Sequence, residues 1–475
     1  MAKHDSILHD ALKQTRPTKD QRRKLEGLAK KTLGLTKKIA KRYKAKAILA
    51  GSITRDTWMP GKNEFDVFVL FPEKLTNKQL ESTGLQVGKL VITKLKGEYE
   101  VAYAEHPYVS GKVGDISIDI VPCYEISSTD KLKSSVDRTP FHVRYIEKKL
   151  PLGLSDEVRL LKKFLASNDM YGADAKVSGY SGYVCELLII AYRSFMNVLK
   201  ASVKWNAGEI IDIEKFYKKE DYQKFPEMFK GHSLIVIDPT DKSRNAGAAI
   251  SAFNLFKLKK YAQKFLDEPS LELMLGRNVQ PVTADELKTY QTTRGTELVV
   301  VKFVPPKVVP DILWPQLRSF AARLQSILEE TRYEFKVLST GVFTDEKFAA
   351  VVLLEMEVSR LPNVQKRVGP IIFDLKDAEN FLGKYKEQSI GIYPEDNLWV
   401  AEVNRGFITA RDKLVDSLSK PLDVLKAKGI PNYVAERIAN GVEVFSEIER
   451  IVQFAERNKD FGIFLKKFFE KEKLV

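Results

Sequence analysis

The sequence predicts a multidomain α+β protein, and three observations carry that prediction. Its 475 residues exceed what one ordinary core takes up, so two to four domains are expected. Strand-like and helix-like periods mix up to about residue 145, helical patterns dominate to about 270, and the two mix again beyond. With 44% hydrophobic and 29% charged residues and no low-complexity tract, the composition is that of a folded chain.

Thr18-Lys19-Asp20-Gln21 is a capping box, opening a helix that runs toward Tyr43 with Leu25, Leu28, Leu33 and Ile39 on one stripe. Lys46 to Ile53 reads as a strand ending in Gly-Ser, Asn63 to Phe71 as a second and Tyr99 to Glu105 as a third. Asp115 to Cys123 is a fourth, with clear period-two alternation. Residues 1–147 are therefore expected to form a small mixed-sheet domain. Ser155, Asp156 and Glu157 mark a helix start, with two carboxylates at the positive end of the dipole and Val158, Leu161 and Leu165 as its buried face. Tyr183 to Leu199 is apolar nearly all round and predicts one core helix, so 148–272 is expected to be helical.

A second capping box, Thr283-Ala284-Asp285-Glu286, opens the C-terminal region, 273–475. Leu298 to Val304 reads as a strand, Pro305, Pro306 and Pro310 as a connector, and Trp314 to Glu330 as a helix. Strands are expected near Phe335 to Ser339, Phe348 to Val358 and Leu398 to Ile408, and basic helix from Asn432 onward.

Composition also excludes function classes. Two cysteines, Cys123 and Cys185, argue against a disulfide framework and a zinc finger. The N-terminus has no apolar core of a secretory signal, and runs such as Leu187 to Tyr192 fall far short of the roughly 20 residues of a membrane span. A cytoplasmic protein without membrane attachment fits best. Net charge is +14, and the first fifty residues carry fifteen Lys/Arg against four Asp/Glu. That imbalance favours polyanions; a solvated basic helix is an equal reading of it.

The chemistry concentrates in Glu64-Phe65-Asp66. Residues two apart on a strand share a face, so both carboxylates project together while Phe65 and Val67 pack behind. Neighbouring carboxylates repel, and a hard cation such as Mg²⁺ relieves the repulsion while keeping positions open for phosphate and water. A bare E-x-D is usually only a solvated acidic edge. Its company changes the odds: Asp119 lies on the polar face of the 115–123 strand, and Gly51-Ser52 ends the first strand and opens a short helix bearing Arg55. A glycine there lets backbone N–H groups approach phosphate, and hydroxyl and guanidinium add donors. This is the set that a two-metal nucleotidyl transfer needs.

Gly51-Ser52-Ile53-Thr54-Arg55 followed by Glu64-Phe65-Asp66-Val67-Phe68 resembles the signature of the polymerase-beta-type nucleotidyltransferase superfamily. Tyr103-Ala104-Glu105-His106-Pro107-Tyr108, Asp119-Ile120-Val121-Pro122-Cys123-Tyr124 and Val136-Asp137-Arg138-Thr139-Pro140-Phe141-His142 are similar to one branch of it, the archaeal (class I) CCA-adding enzymes. Glu157 to Lys162, Tyr171-Gly172-Ala173, Gly179 to Leu188, Asp238-Pro239 with Arg244-Asn245, Arg294-Gly295-Thr296 and Trp314-Pro315-Gln316-Leu317 continue the likeness, which is strong from residue 45 to about 320.

The resemblance implies a nucleotidyltransferase head, a helical central domain closing over the nucleotide, and an α+β body and tail that grip the tRNA acceptor stem. It implies addition of C, C and A to the tRNA 3′ end from CTP and ATP, repair of damaged ends, and assembly as a homodimer. Glu64, Asp66 and Asp119 would hold two Mg²⁺ ions, and Gly51, Ser52 and Arg55 the triphosphate. Thr139, His142, Lys162 and Tyr171 would contact sugar or phosphate, and Arg244 would read the incoming base.

Without the resemblance, Thr139 and His142 read equally as a helix cap and a satisfied histidine. Lys162 reads as a solvated lysine, Tyr171-Gly172 as a loop turn, and Arg244 as part of a turn near a salt bridge. Rival functions are poly(A) polymerase or oligoadenylate synthetase, a small-molecule nucleotidyltransferase, and a catalytically silent RNA-binding scaffold. The basic C-terminal half argues against the second and the three carboxylates against the third.

Overall fold

Two central strands, buried along the whole of one face and open at the start of the other, set the first sheet, and everything at the site hangs from it. The computed structural model describes residues 2–61, 63–103, 105–330 and 333–471. Ala104, within the third expected strand and one of the quoted motifs, lies outside them, as do the last four residues of the expected basic helix. The chain divides near residue 277 into two compact units.

The first unit opens with α1 (Ala2–Thr15) and α2 (Lys19–Ala40). Thr18 and Gln21 form the expected capping box at the start of α2. There follow β1 (Lys46–Ala50), β2 (Glu64–Pro72), α3 (Asn77–Lys94), β3 (Glu98–Tyr103), β4 (Pro107–Val113) and β5 (Ile116–Glu125). The strands form one sheet in the order β1-β2-β5-β4-β3. Its central pair, β2 and β5, is parallel, and the other neighbours are antiparallel.

Phe65, Val67, Val69 and Phe71 are buried with Leu25 of α2 and Leu80, Val87 and Val91 of α3. Each such side chain contributes roughly 1.5–3 kcal/mol on leaving water. The alternate residues Phe68 and Leu70 pack on the opposite face with Ala50, Cys123 and Val143. Glu64 and Asp66 belong to that second face by parity. Helix α3 lies close on the sheet because Gly84 and Gly88 lack side chains: a Cβ there would stand 2.5 Å from Pro122 and 2.6 Å from Val109.

The helical part comprises α4 (Thr139–Lys149), α5 (Ser155–Ser167), α6 (Gly182–Tyr192) and α7 (Phe195–Ser202). It continues through β6 (Glu209–Ile211), α8 (Phe225–Met228), β7 (Leu234–Asp238), β8 (Asp241–Asn245), α9 (Ala252–Asp267) and α10 (Leu271–Leu275). Its core gathers Val158, Leu161 and Leu165 with residues of α6, α7 and α9, and Ala11 of α1 is buried in it too. The three short strands form their own sheet, order β6-β7-β8, where the sequence pattern had suggested little but helix.

The single helix expected over 183–199 is two helices, bent by 91°. Arg193 adopts a left-handed backbone, φ 69°, which ends α6. Ser194 then caps α7 by accepting from the Asn197 amide, and the Phe195 amide donates 2.8 Å to Glu157. Hydropathy could not show this break, because apolar residues flank it on both sides. Among the described residues no single helix is long and apolar enough to cross a membrane.

The second unit runs through α11 (Ala284–Arg294), β9 (Glu297–Phe303), α12 (Pro310–Leu328), β10 (Lys336–Thr344) and β11 (Ala350–Val358). Then come β12 (Val364–Ile371), α13 (Leu375–Tyr385), β13 (Ser389–Glu395) and β14 (Leu398–Asn404). It ends with α14 (Ala410–Leu418), α15 (Leu422–Ala427), α16 (Asn432–Ala439), β15 (Glu443–Phe445), α17 (Ile448–Arg457) and α18 (Lys459–Phe469). Two sheets result, β10-β11-β9-β15 and β12-β14-β13. The stretch after Asn432, expected to be wholly helical, thus contributes a strand to the larger sheet. Arg294 and Thr296, from the motif quoted above, serve that fold: both donate to the fully buried carboxylate of Glu355, at 2.5 and 2.9 Å.

Candidate active site

Strand register builds the acidic centre. Asp66 on β2 is the parallel partner of Asp119 on β5, and Glu64 is the partner of Ser117. On the outer side Asp66 faces Ala50, the last residue of β1. Gly51 follows with φ +80°, turning the chain back over the sheet; a Cβ there would stand 3.0 Å from Asp66 Oδ2. The backbone of the Gly51-Ser52 turn therefore rests against the central carboxylate, an approach only glycine permits. Ser52–Arg55 is one 3₁₀ turn.

Partial burial of Asp66 and Asp119 makes their charge costly, while Glu64 at the strand end stays exposed. Burial, then the fields of Asp119 and Glu64, push Asp66 up to about 7, against a smaller pull from Arg55. Asp119 is raised as well, chiefly by burial, with a hydrogen bond from Ser110 opposing. Such an array invites a divalent cation, which removes both penalties. Among the described residues no three Asp, Glu, His or Cys side chains close into a metal cage. An open carboxylate array of this kind suits Mg²⁺, whose shell is completed by water and substrate phosphates.

The turn bearing Arg55 is clamped from the helical side. Arg159, 1% exposed, donates through Nε to the Trp58 carbonyl at 3.1 Å and pairs with Asp56, which Arg22 also contacts. Lys162, 2% exposed, donates to the Thr57 carbonyl and hydroxyl at 3.1 and 3.2 Å, so it is no solvated helix lysine. Tyr171 joins it: a Cβ on Gly182 would stand 3.1 Å from the Tyr171 hydroxyl and 3.6 Å from the Lys162 Nζ. Burial, then Cys185, Glu186 and Glu64, raise the Tyr171 phenol, so it shares the field of the acidic centre.

A second cluster centres on Asp238, which is fully buried. His142 Nε2 lies 2.9 Å from its Oδ2, Arg244 Nη1 donates 2.7 Å to the same oxygen, and Tyr183 donates 3.1 Å to Oδ1. The His142 ring stacks on Tyr183 with centroids 4.1 Å apart. Burial raises Asp238, but His142 foremost, then the Thr240 amide and Arg244, outweigh it and hold the carboxyl far below its ordinary range. Thr139 begins α4, one turn before His142. The salt bridge read beside Arg244 as an alternative exists, and so does the hydrogen-bonded histidine; both belong to this one cluster.

Helix α6 joins the two clusters, since Tyr183 and Glu186 lie a turn apart on one face. The structure thus gathers Gly51, Ser52, Arg55, Glu64, Asp66, Asp119, Lys162 and Tyr171 around the sheet end, and His142 with Arg244 around Asp238. Sequence reasoning quoted Asp238 and Glu186 within motifs but gave neither a role. Their signal was present: a carboxylate in an otherwise apolar strand or helix must have partners.

Comparison with known proteins decides the family. A nucleotidyltransferase-domain model matches residues 31–142, one for the second domain of tRNA nucleotidyltransferases matches 156–275, and one for the C-terminal domain of CCA-adding enzymes matches 294–447. The CCA-adding enzyme of Archaeoglobus fulgidus is 35% identical over 402 residues, 84% of this chain and 87% of its own length. The chain belongs to the CCA-adding enzyme family. The CCA-adding enzyme of Methanopyrus kandleri is 33% identical over 481 residues, covering 99% of this chain and 98% of its own. A solved structure of Cid1, described by its RNA terminal uridylyl transferase activity, covers 58% of this chain and 98% of that one at a TM-score of 0.45 and 11% identity.

Proposed function

We propose that this member of the CCA-adding enzyme family extends the 3′ end of tRNA by C, C and A, taking CTP and ATP and releasing pyrophosphate. The observation that carries the reading is the parallel pairing of Asp66 with Asp119 beneath the Gly51 turn. It sets carboxylates against a loop whose backbone and Arg55 can receive a triphosphate.

Glu64, Asp66 and Asp119 would hold the divalent ions. When bound, such ions lower the pKa of the attacking 3′-hydroxyl and offset the charge that builds on the α-phosphate and leaving group. The chain's own residues do the rest. Of the five N–H groups of Arg55, Nε and one on Nη2 face Glu186, and one on Nη1 donates to Thr54 at 3.2 Å. Two remain for phosphate oxygens. Lys162 and Tyr171 line the same space from the helical side, and the ammonium favours the polyanionic triphosphate. Arg244, fixed at one nitrogen by Asp238, presents its other donors to the base. Cytosine and adenine both offer a ring-nitrogen acceptor beside an amino group, so one guanidinium can serve both.

The test is an end-labelled extension assay with Mg²⁺, CTP, ATP and a tRNA transcript ending at the base before CCA. Growth by three nucleotides that requires both substrates and is lost in Asp66→Ala and Asp119→Ala supports the reading. An open-ended ladder with ATP alone assigns the chain to the poly(A)-type branch, and RNA binding without extension leaves the scaffold.

A further inference from the structure

Glu186 has no part in the chemistry described so far, yet its surroundings demand one. It is the one charged residue of α6, 1% exposed, within the run Val184-Cys185-Glu186-Leu187-Leu188. A carboxylate placed there is tolerated only if it is paired. Its partners come from the nucleotide site. Arg55 Nε donates to Oε1 at 3.1 Å, and Arg55 Nη2 stands 3.0 Å from Oε2. The Thr57 hydroxyl donates to Oε1 at 2.6 Å, and the Lys162 Nζ lies 3.8 Å from the same oxygen. The Thr57 hydroxyl in turn accepts from Lys162, so the four side chains close a single network.

We propose that Glu186 is the positioning residue of the triphosphate site, holding the guanidinium of Arg55 and the ammonium of Lys162 in the orientation in which both meet the nucleotide's phosphates. The inference rests on the assignment of Arg55 and Lys162 to the triphosphate made above. The Nε–H bond to Oε1, with Nη2 3.0 Å from Oε2, holds the guanidinium beside the carboxylate and leaves its Nη1 side turned away from Glu186. The same carboxylate bridges the strand-end turn of Arg55 and Thr57 to the helical half that carries Lys162.

The charges around Lys162 agree with this. Burial lowers its pKa, Glu186 is the foremost influence raising it, Cys185 adds to that, and Arg55 and Arg159 oppose it. The Tyr171 hydroxyl is a further titratable group beside Lys162. Removing the Glu186 charge should therefore bring the loss of the Lys162 proton to lower pH.

Because the triphosphate is common to both substrates, the effect must fall on CTP and ATP alike. Glu186→Gln keeps the shape and removes the charge. Dissociation constants for CTP and ATP are measured by equilibrium dialysis with the full chain and Mg²⁺, without tRNA, across pH 6–10. Both nucleotides should bind on the order of tenfold more weakly, by the same factor. The alkaline limb of binding should move to lower pH.

Glu186→Gln leaves two buried cations under-compensated and can impair folding, so Arg55→Gln and the double variant complete a cycle. The double variant removes a charge of each sign. Its affinity should match that of Arg55→Gln alone, because Glu186 acts largely through Arg55. Wild-type affinity and an unmoved limb in Glu186→Gln, additive losses in the cycle, or unequal effects on the two nucleotides each overturn the proposal. A wild-type chain that binds neither nucleotide overturns it too. One that binds both but extends no tRNA overturns the functional reading and leaves Glu186's role standing.

Discussion

Replacing Asp66 with asparagine should make the metal-free protein more stable above neutral pH while abolishing extension. Burial first, and then Asp119 and Glu64, raise the Asp66 carboxyl from 3.8 to about 7. Between those two pH values the folded chain keeps a proton that the unfolded chain has released, so stability falls as pH rises through this window and levels off above 7. The full penalty is roughly 4 kcal/mol, taking about 1.4 kcal/mol per pH unit. The amide of Asp66→Asn does not titrate in this range, so the substitution removes the penalty. In chelator-treated buffer the variant and wild type should therefore unfold alike near pH 4. At pH 8 the variant should lead by up to about 4 kcal/mol, several degrees in Tm for a unit of this size. Denaturant titrations at both pH values read the difference. Adding Mg²⁺ should then stabilise the wild type much more than the variant, because ligand binding to the folded state alone raises stability. Equal stability at pH 8, or equal gain from Mg²⁺, would refute the account of these carboxylates as a strained cation site.

Three further outcomes follow from the geometry. Gly51→Ala forces an L residue into φ +80° and sets its Cβ 3.0 Å from Asp66 Oδ2; turnover should fall by about 100-fold with the circular dichroism spectrum intact. Asp238→Asn weakens the hold on both His142 and Arg244, so the preference between CTP and ATP on tRNA ending in CC should change by on the order of tenfold; an unchanged ratio would remove Arg244 as base reader. Arg193→Gly places glycine at a left-handed helix end and should stabilise the chain by about 0.5–1 kcal/mol, while Arg193→Val should destabilise it, both read by thermal unfolding.

What the sequence revealed was governed by local rules. The α2 start was legible because a capping box is a four-residue pattern, and the carboxylate strands because period two fixes side-chain direction whatever the rest of the chain does. Helix α3 carried the same kind of start, with Thr76 and Gln79 forming a capping box, yet Gly84 and Gly88 thin its apolar stripe and it escaped notice. The bend between α6 and α7 was hidden because a distant carboxylate, Glu157, satisfies the freed amide of Phe195. Lys162 looked like a surface residue for the same reason: its partners Thr57 and Glu186 are remote in sequence. Strand β7 is a run of four apolar residues closed by Asp238, which period alone cannot separate from buried helix. Local chemistry was readable, and partnership across the fold was not.

The side-by-side placement of Asp66 and Asp119 on parallel strands has an evolutionary corollary. Two neighbouring strands running the same way must be joined by a crossover, here α3 and the β3–β4 hairpin, and none of that crossover sets the separation of the two acids. Residues can be gained or lost in the loops flanking α3, or at the hairpin tip, without altering the distance between the carboxylates. A single residue inserted within β5 ahead of Asp119 would instead turn that acid to the apolar side. Lineages should therefore tolerate length variation between the two carboxylates freely in the crossover and not at all inside the paired strands.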